Sequence, residues 1–198
     1  MDTSFDGKQS LQVIARMLGQ PKQNLQSSAG QYLLWGWAVF LAAAIEWGLL
    51  QVNSPAHWWV RPILMPLRAI VDFFLGLKNR GKQAYTTYTD YSLVTVWSGF
   101  GLFIFLIILL SATLVGWAHG YLFIIGLIGF GTFTSGRILK FKPLYFGGIL
   151  SFVLALLPAL APQFFSGFET SLILLAASIL VSYIIPGHLI QSRFKNAA

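Results

Sequence analysis

The sequence predicts an all-α, polytopic helical membrane protein with six transmembrane helices and both termini cytoplasmic. Three observations lead there. The chain of 198 residues is 56% hydrophobic and only 10% charged, whereas a water-soluble domain is about 25% charged and needs that polar cover. Apolar runs of the roughly 20 residues needed to cross about 30 Å of hydrocarbon recur along it. The basic residues collect on alternate connections between those runs, the pattern that orients a membrane chain with its positive loops inside.

Residues 1–29 form the expected cytoplasmic tail. Asp6 and Gln9 stand at capping-box spacing ahead of a helical stripe of Leu11, Ile14 and Leu18, with Pro21 beyond it. The expected element is a short amphipathic helix lying on the cytoplasmic leaflet. No apolar core with a small-residue cleavage site precedes the first span, which is therefore expected to act as its own insertion signal.

The transmembrane bundle is expected over 30–192, with spans near 31–51, 57–77, 91–114, 119–139, 143–162 and 169–190, followed by a basic cytoplasmic C-terminus, 193–198. The second span, "HWWVRPILMPLRAIVDFFLGL", is the poorest, because Arg61, Pro62, Pro66, Arg68 and Asp72 interrupt it. Omitting it destroys the charge pattern. The tail carries Lys8, Arg16 and Lys22; the connection after span two carries Lys78, Arg80 and Lys82. Arg137, Lys140 and Lys142 follow span four, and Arg193 and Lys195 follow span six. The intervening connections near 52–56, 115–118 and 163–168 hold no Lys or Arg, so eleven of the thirteen bases fall on one side. That side is predicted to be cytoplasmic.

Aromatic residues fit the same frame. Trp35, Trp37, Tyr85, Tyr88, Tyr91 and Tyr145 fall near the inner boundary, and Trp47, Trp58, Trp59, Trp117 and Tyr121 near the outer one. They read as interfacial anchors. Lipid gives no hydrophobic drive for helix association, so small residues at helical spacing mark the seams. Gly147, Ser151, Ala155 and Ala159 form such a ridge on span five. Gly131 with Ser135 and Thr132 with Gly136 do so on span four, Ala38 and Ala42 on span one, and Ser178 and Ser182 on span six.

Ionisable side chains at membrane depth are costly and are the candidate functional groups. They are Glu46, Arg61, Arg68 and Asp72, with Asp90 and Arg137 near the inner boundary. Spans one and two form a hairpin turning near 53–54, which puts Glu46 and Arg61 at matching depth and predicts a pair. Arg68 and Asp72 are i, i+4 on one helix and can pair there. Asp72, Asp90 and Arg137 are expected to share the inner layer.

Catalytic groupings are thin. With no cysteine, the chain has no disulfide, thiolate metal site or cysteine nucleophile. His57, His119 and His188 lie near span ends and make no metal motif, although the first two could meet Glu169 outside. No H-E-x-x-H, G-x-S-x-G or close carboxylate pair is present. "GFGTFTSGRILKFKP", residues 129–143, resembles a phosphate-binding loop as a string. It follows the apolar run "YLFIIGLI" without a break and has Ile138 where a metal-binding hydroxyl belongs. Its glycines read as a packing face, and its bases as a basic stop. No catalytic residue, cofactor or metal is expected, and the basic excess serves orientation and anionic lipid rather than nucleic acid.

"LLWGWAVFLAA" in span one, "GTFTSGRILKFKPLYFGGI" across spans four and five, and "IIPGHLI" closing span six resemble a group of small six-span membrane proteins common in Bacteroidota. The resemblance covers nearly the whole chain. It implies a six-helix inner-membrane protein and brings no activity, cofactor or catalytic residue with it.

The expected function is that of a non-enzymatic structural, regulatory or partner-binding bundle in a bacterial inner membrane. Its expected partners are the bilayer, anionic lipid at the cytoplasmic face, and a second copy or another membrane protein. The alternative is a small oligomeric transporter or channel for an anion or small metabolite, with Arg68, Asp72, Asp90 and Arg137 lining a polar cavity.

Overall fold

The computed structural model describes residues 7–79, 88–163, 165 and 167–195, with side chains over 29–72, 74, 88–163, 165 and 167–193. Asp6, Arg80, Lys82 and Tyr85 lie outside the described residues. The side chains of Lys8, Leu11, Ile14, Arg16, Leu18, Lys22, Lys78 and Lys195 lie outside the described side chains.

Helix α1 runs from Gly7 to Gln51 as one 45-residue element. It passes through Pro21 without a break, so the tail and the first span belong to one helix. At 1.5 Å per residue it is about 67 Å long, more than twice the hydrocarbon thickness. A turn at 52–54 places Asn53 at φ 51°. Ser54 Oγ then accepts from the Ala56 N–H at 3.4 Å, capping a 3-10 turn, Pro55–Trp59. That turn feeds α2, Val60–Asn79, which contains Pro66.

Helix α3, Tyr88–Leu110, continues into a π-helical turn, Ser111–Val115. Gly116 ends it at φ 79°, a conformation that side-chain-bearing residues rarely adopt. Helix α4 spans Trp117–Ile138, and α5, Lys142–Leu160, follows a tight turn. Helix α6, Phe168–Ile179, passes through a second π turn, Leu180–Ile184, into α7, Ile185–Lys195, as one rod.

Among the described residues, five helices are long and apolar enough to cross a membrane: Ala29–Gln51, Tyr88–Val115, Trp117–Ile138, Lys142–Leu160 and Phe168–Arg193. They match five of the six expected spans. Helix α2 has the length, 20 residues, but Arg61, Arg68, Asp72 and Lys78 keep it below the apolarity of the others.

The bundle is organised around α4, which touches α3, α5 and α6. Its packing on α5 is the most extensive in the molecule. There the backbones nearly touch: a Cβ on Gly148 would stand 2.7 Å from Phe133 Cα and 2.8 Å from the Gly129 carbonyl oxygen. The neighbouring Gly147 serves a different partner, the π turn after α6, where Ser182 Cα would be 3.0 Å away. Helix α1 lies along α6 and α7, with Gly36 against Tyr183 and Gly187 against Leu33.

Of the expected seams, Thr132, Ser135, Gly136, Gly147, Ser151, Ser178 and Ser182 are all buried, whereas Ala159 is exposed and the α5 ridge ends before it. Ser178 Oγ donates to Ser151 Oγ at 2.9 Å, Ser151 also meets Ser182, and Ser182 Oγ donates to the Ser178 carbonyl at 2.6 Å. This hydroxyl chain joins α5 to the π turn after α6.

Polarity is inverted relative to a water-soluble bundle. Thr132, Ser135, Ser151, Ser178 and Ser182 are fully buried. Leu102 is 74% exposed and Leu114 80%. Among the described residues, α3 buries none at all. Only Leu93, Trp97 and Phe100 rest on the core from that helix. Such a surface suits hydrocarbon and not water.

Candidate functional site

Among the described residues, the backbone of helix α2 approaches α1 and the 3-10 turn. Two of its arginines reach further, and around them four of the six expected charges assemble.

The first node is built on α1. Ala42 and Glu46 are one turn apart on the face that α1 turns inward. Glu46 is 2% exposed, the most deeply buried acid among the described residues. An unpaired carboxylate there would be driven to protonate or to disrupt the fold. The hairpin supplies Arg61 from the first turn of α2, whose Nε pairs with Glu46 Oε2. From α4, the Tyr121 hydroxyl donates to Glu46 Oε1 at 3.3 Å. The Arg61 guanidinium also lies over the Tyr121 ring, 4.0 Å from its centroid. Acid, base and phenol thus form a closed triangle that connects α1, α2 and α4. Arg61 Nη2 is buried without a hydrogen-bond partner.

Tyr121 was expected at the outer lipid boundary, and it is instead 4% exposed and inside the bundle. Phe168 packs on it with ring centroids 5.4 Å apart, and Trp117 at 6.3 Å. Trp58 reaches Phe168 at 5.8 Å, so the 3-10 turn, α4 and α6 share an aromatic stack above the triangle. Tyrosine in an apolar helix needs a partner for its hydroxyl. That need was the available signal, but nothing in the string says which carboxylate meets it.

The second node lies nearer the opposite end of α2. Arg68 pairs with Asp72 one turn on, and the side chains are 10% and 21% exposed. The Arg68 guanidinium stacks toward Trp35 of α1, 5.2 Å from the ring centroid. Trp35 is therefore half-buried under a cation, and the expected anchor faces a neighbouring helix. Arg68 Nε, Nη1 and Nη2 are all buried and none makes a well-formed hydrogen bond, so Nη1 meets Asp72 as an ion pair only and Nε and Nη2 have no polar contact.

The other two expected groups lie on α3 and α4. Asp90 is half-buried in the first turn of α3, where an acid complements the positive end of the helix. Arg137 is exposed in the last turn of α4, 5.4 Å from the Tyr145 ring centroid. Of the residues expected in the inner layer, Asp72 pairs with Arg68 and Arg137 lies over the Tyr145 ring. Glu169 accepts from Gln51 Nε2 at 3.3 Å. His57 and His119 turn their Nδ1 atoms to the carbonyls of Ser54 and Val115 instead, at 2.7 and 3.2 Å.

Two grooves open on the flanks of α1. One of about 230 Å³ lies against α6 and is lined by Ala43, Ala44, Trp47, Leu172, Ile173 and Ala176. The other, about 300 Å³, lies against α2, and Arg68 is the only charged residue in its lining. The Glu46–Arg61 pair joins α1 to α2, whereas Arg68–Asp72 lies within α2 and meets α1 through Trp35. The Arg61 and Arg68 guanidiniums each face an aromatic ring and pair with a carboxylate. No family model, curated protein or solved structure matches this chain.

Proposed function

We propose that the protein is a non-enzymatic, integral six-span protein of a bacterial inner membrane, N-in and C-in, serving as a structural or partner-binding bundle whose intramembrane charges hold its helices in register. One observation carries the reading: α2 is inside out. Its Ile63, Leu67, Ile70, Val71 and Phe74 are exposed, while Arg61, Arg68 and Asp72 turn toward the bundle. A helix lying on a protein in water would present the reverse. Hydrocarbon around α2 accounts for both faces at once, and it supplies the sixth crossing that the distribution of bases requires.

The Glu46–Arg61 pair, with Arg68 over Trp35, fixes the register of α2 against α1, the best-attested use of buried charge. Apart from Arg68, apolar side chains line both grooves, which favours this role over a transporter, whose pathway needs polar walls.

A double-mutant cycle tests it. Glu46→Gln and Arg61→Leu should each destabilise the bundle by about 3 kcal/mol, because each leaves its partner buried and uncompensated. The double replacement should recover at least ~1 kcal/mol relative to the sum, read from unfolding in mixed micelles. Additive losses would remove the structural role from the pair.

A further inference from the structure

We propose that the groove between α1 and α2 binds one phospholipid, its phosphate on Arg68, its ammonium on Asp72 and one acyl chain along the groove. The proposal rests on the membrane reading above and goes beyond it by assigning a specific, stoichiometric lipid.

Arg68 decides the headgroup. Its side chain is nine-tenths buried and borders the groove. Nη1 is engaged by Asp72, and Trp35 covers the guanidinium from α1. What remains is the edge formed by Nε and Nη2, both buried and both without a hydrogen-bond partner. Those two atoms lie side by side on the planar guanidinium and form a fork that matches two oxygens of a phosphate. Left unmet at membrane depth, two charged N–H groups are costly.

The walls decide the rest. Ala38, Leu41 and Ile45 of α1 face Leu64 and Leu67 of α2, an apolar lane of about 10 Å along the helix axes. Leu41, Ile45 and Leu67 are about half exposed, so the lane is open sideways to hydrocarbon. Arg68 and Val71 close one end of it. A molecule with an anionic head and an apolar tail fits this order of surfaces, and the bilayer provides it by lateral diffusion.

Charge selects among phospholipids. Arg68 and Asp72 together are neutral, and the Asp72 carboxylate is one-fifth exposed beside the fork. A purely anionic head would meet that carboxylate with like charge. A zwitterionic head bearing a primary ammonium places its cation there and completes a four-charge ring. The occupant is thus an aminophospholipid of the phosphatidylethanolamine type.

The test uses the full chain, extracted in mild detergent, stripped of lipid and offered phosphatidylethanolamine, phosphatidylcholine or phosphatidylglycerol, with occupancy read by native mass spectrometry. One phosphatidylethanolamine per chain is expected, retained in preference to the other two. Arg68→Gln combined with Asp72→Asn, which keeps the site neutral, should lower occupancy about tenfold. Ala38→Phe, which fills the lane and leaves both charges in place, should lower it similarly, with helicity and elution volume unchanged for both proteins.

Undiminished occupancy in the two altered proteins overturns the site. Equal retention of phosphatidylcholine or phosphatidylglycerol overturns the aminophospholipid assignment. Inorganic phosphate that stabilises the stripped chain against heat as well as the lipid does would show a free-anion site instead. Recovery of the chain in the soluble fraction without detergent would be a separate failure, that of the membrane reading itself.

Discussion

Tyr121 carries two loads with one side chain. Its hydroxyl meets Glu46 and its ring meets Arg61, and the two contacts separate by mutation. Tyr121→Phe keeps the ring under the guanidinium and removes only the hydrogen bond, at an expected cost of about 1 kcal/mol. Tyr121→Leu removes both and should cost roughly twice that, measured by the same unfolding assay used for Glu46 and Arg61. Equal stability of the Phe variant and the parent would show that the hydroxyl contributes nothing to holding Glu46. The Glu46–Arg61 pair was legible from the hairpin, because a turn near 53–54 places two residues about equally far from it at one depth. The Arg68–Asp72 pair was legible from i, i+4 spacing. Tyr121 was not, since it lies 75 residues from Glu46 and reads as one more interfacial ring. Trp35 was hidden for the same reason: ring and cation come from separate helices, and a string does not rank the pairings.

Between elements, stability depends on how closely backbones approach, and glycine sets that distance at the α4–α5 seam. Gly148→Ala would drive a methyl group into the backbone of α4, and backbone cannot yield as a flexible side chain does. The expected loss is about 2 kcal/mol of overpacking, or roughly 5 °C in the thermal midpoint of a chain this size. Gly48→Ala is the matched control: nothing lies within 4 Å of the added carbon, and the better helix former should leave the midpoint level or slightly higher. A Gly148→Ala protein that melts with the parent would show that the seam is looser than the backbone approach requires. Small residues at four-residue spacing were enough to identify α4, α5 and α6 as packed helices. They did not say that Gly147 and Gly148, adjacent in sequence, face the π turn after α6 and α4 respectively, because two neighbouring positions differ by about 100° around a helix and the partner on each side is set by the whole bundle. The π turns at 111–115 and 180–184 had no sequence sign either. Ser182 sits in the second and reaches the Ser151 hydroxyl of α5 from there.

At the scale of the whole molecule, the open quantity is the parity of crossings, and α2 sets it. Among the described residues, five helices are apolar enough to cross without help; with α2 as a sixth, the chain returns to its starting side. Its charges argue against crossing when α2 is read alone, yet in the bundle Arg61 and Arg68 are paired and stacked, and its outward face is apolar. Sequence hydropathy prices each charge as if it faced lipid, which is why α2 is the poorest span by composition. The absence of cysteine makes the parity directly measurable with single introduced thiols in intact cells. Asn53 lies in the turn after α1, Gln163 in the connection after α5, and Gln191 near the end of α7. If α2 crosses, Asn53→Cys and Gln163→Cys share a side and both react with an impermeant maleimide added outside, whereas Gln191→Cys reacts only after permeabilisation. If α2 lies along the surface, every later connection is inverted: Gln163→Cys becomes protected, and Gln191→Cys reacts from outside. The basic residues at Arg137, Lys140 and Lys142 would then face outward together with Arg193, against the charge asymmetry that orients membrane chains. The six-span arrangement therefore predicts matched labelling at positions 53 and 163, and opposite labelling there would end it.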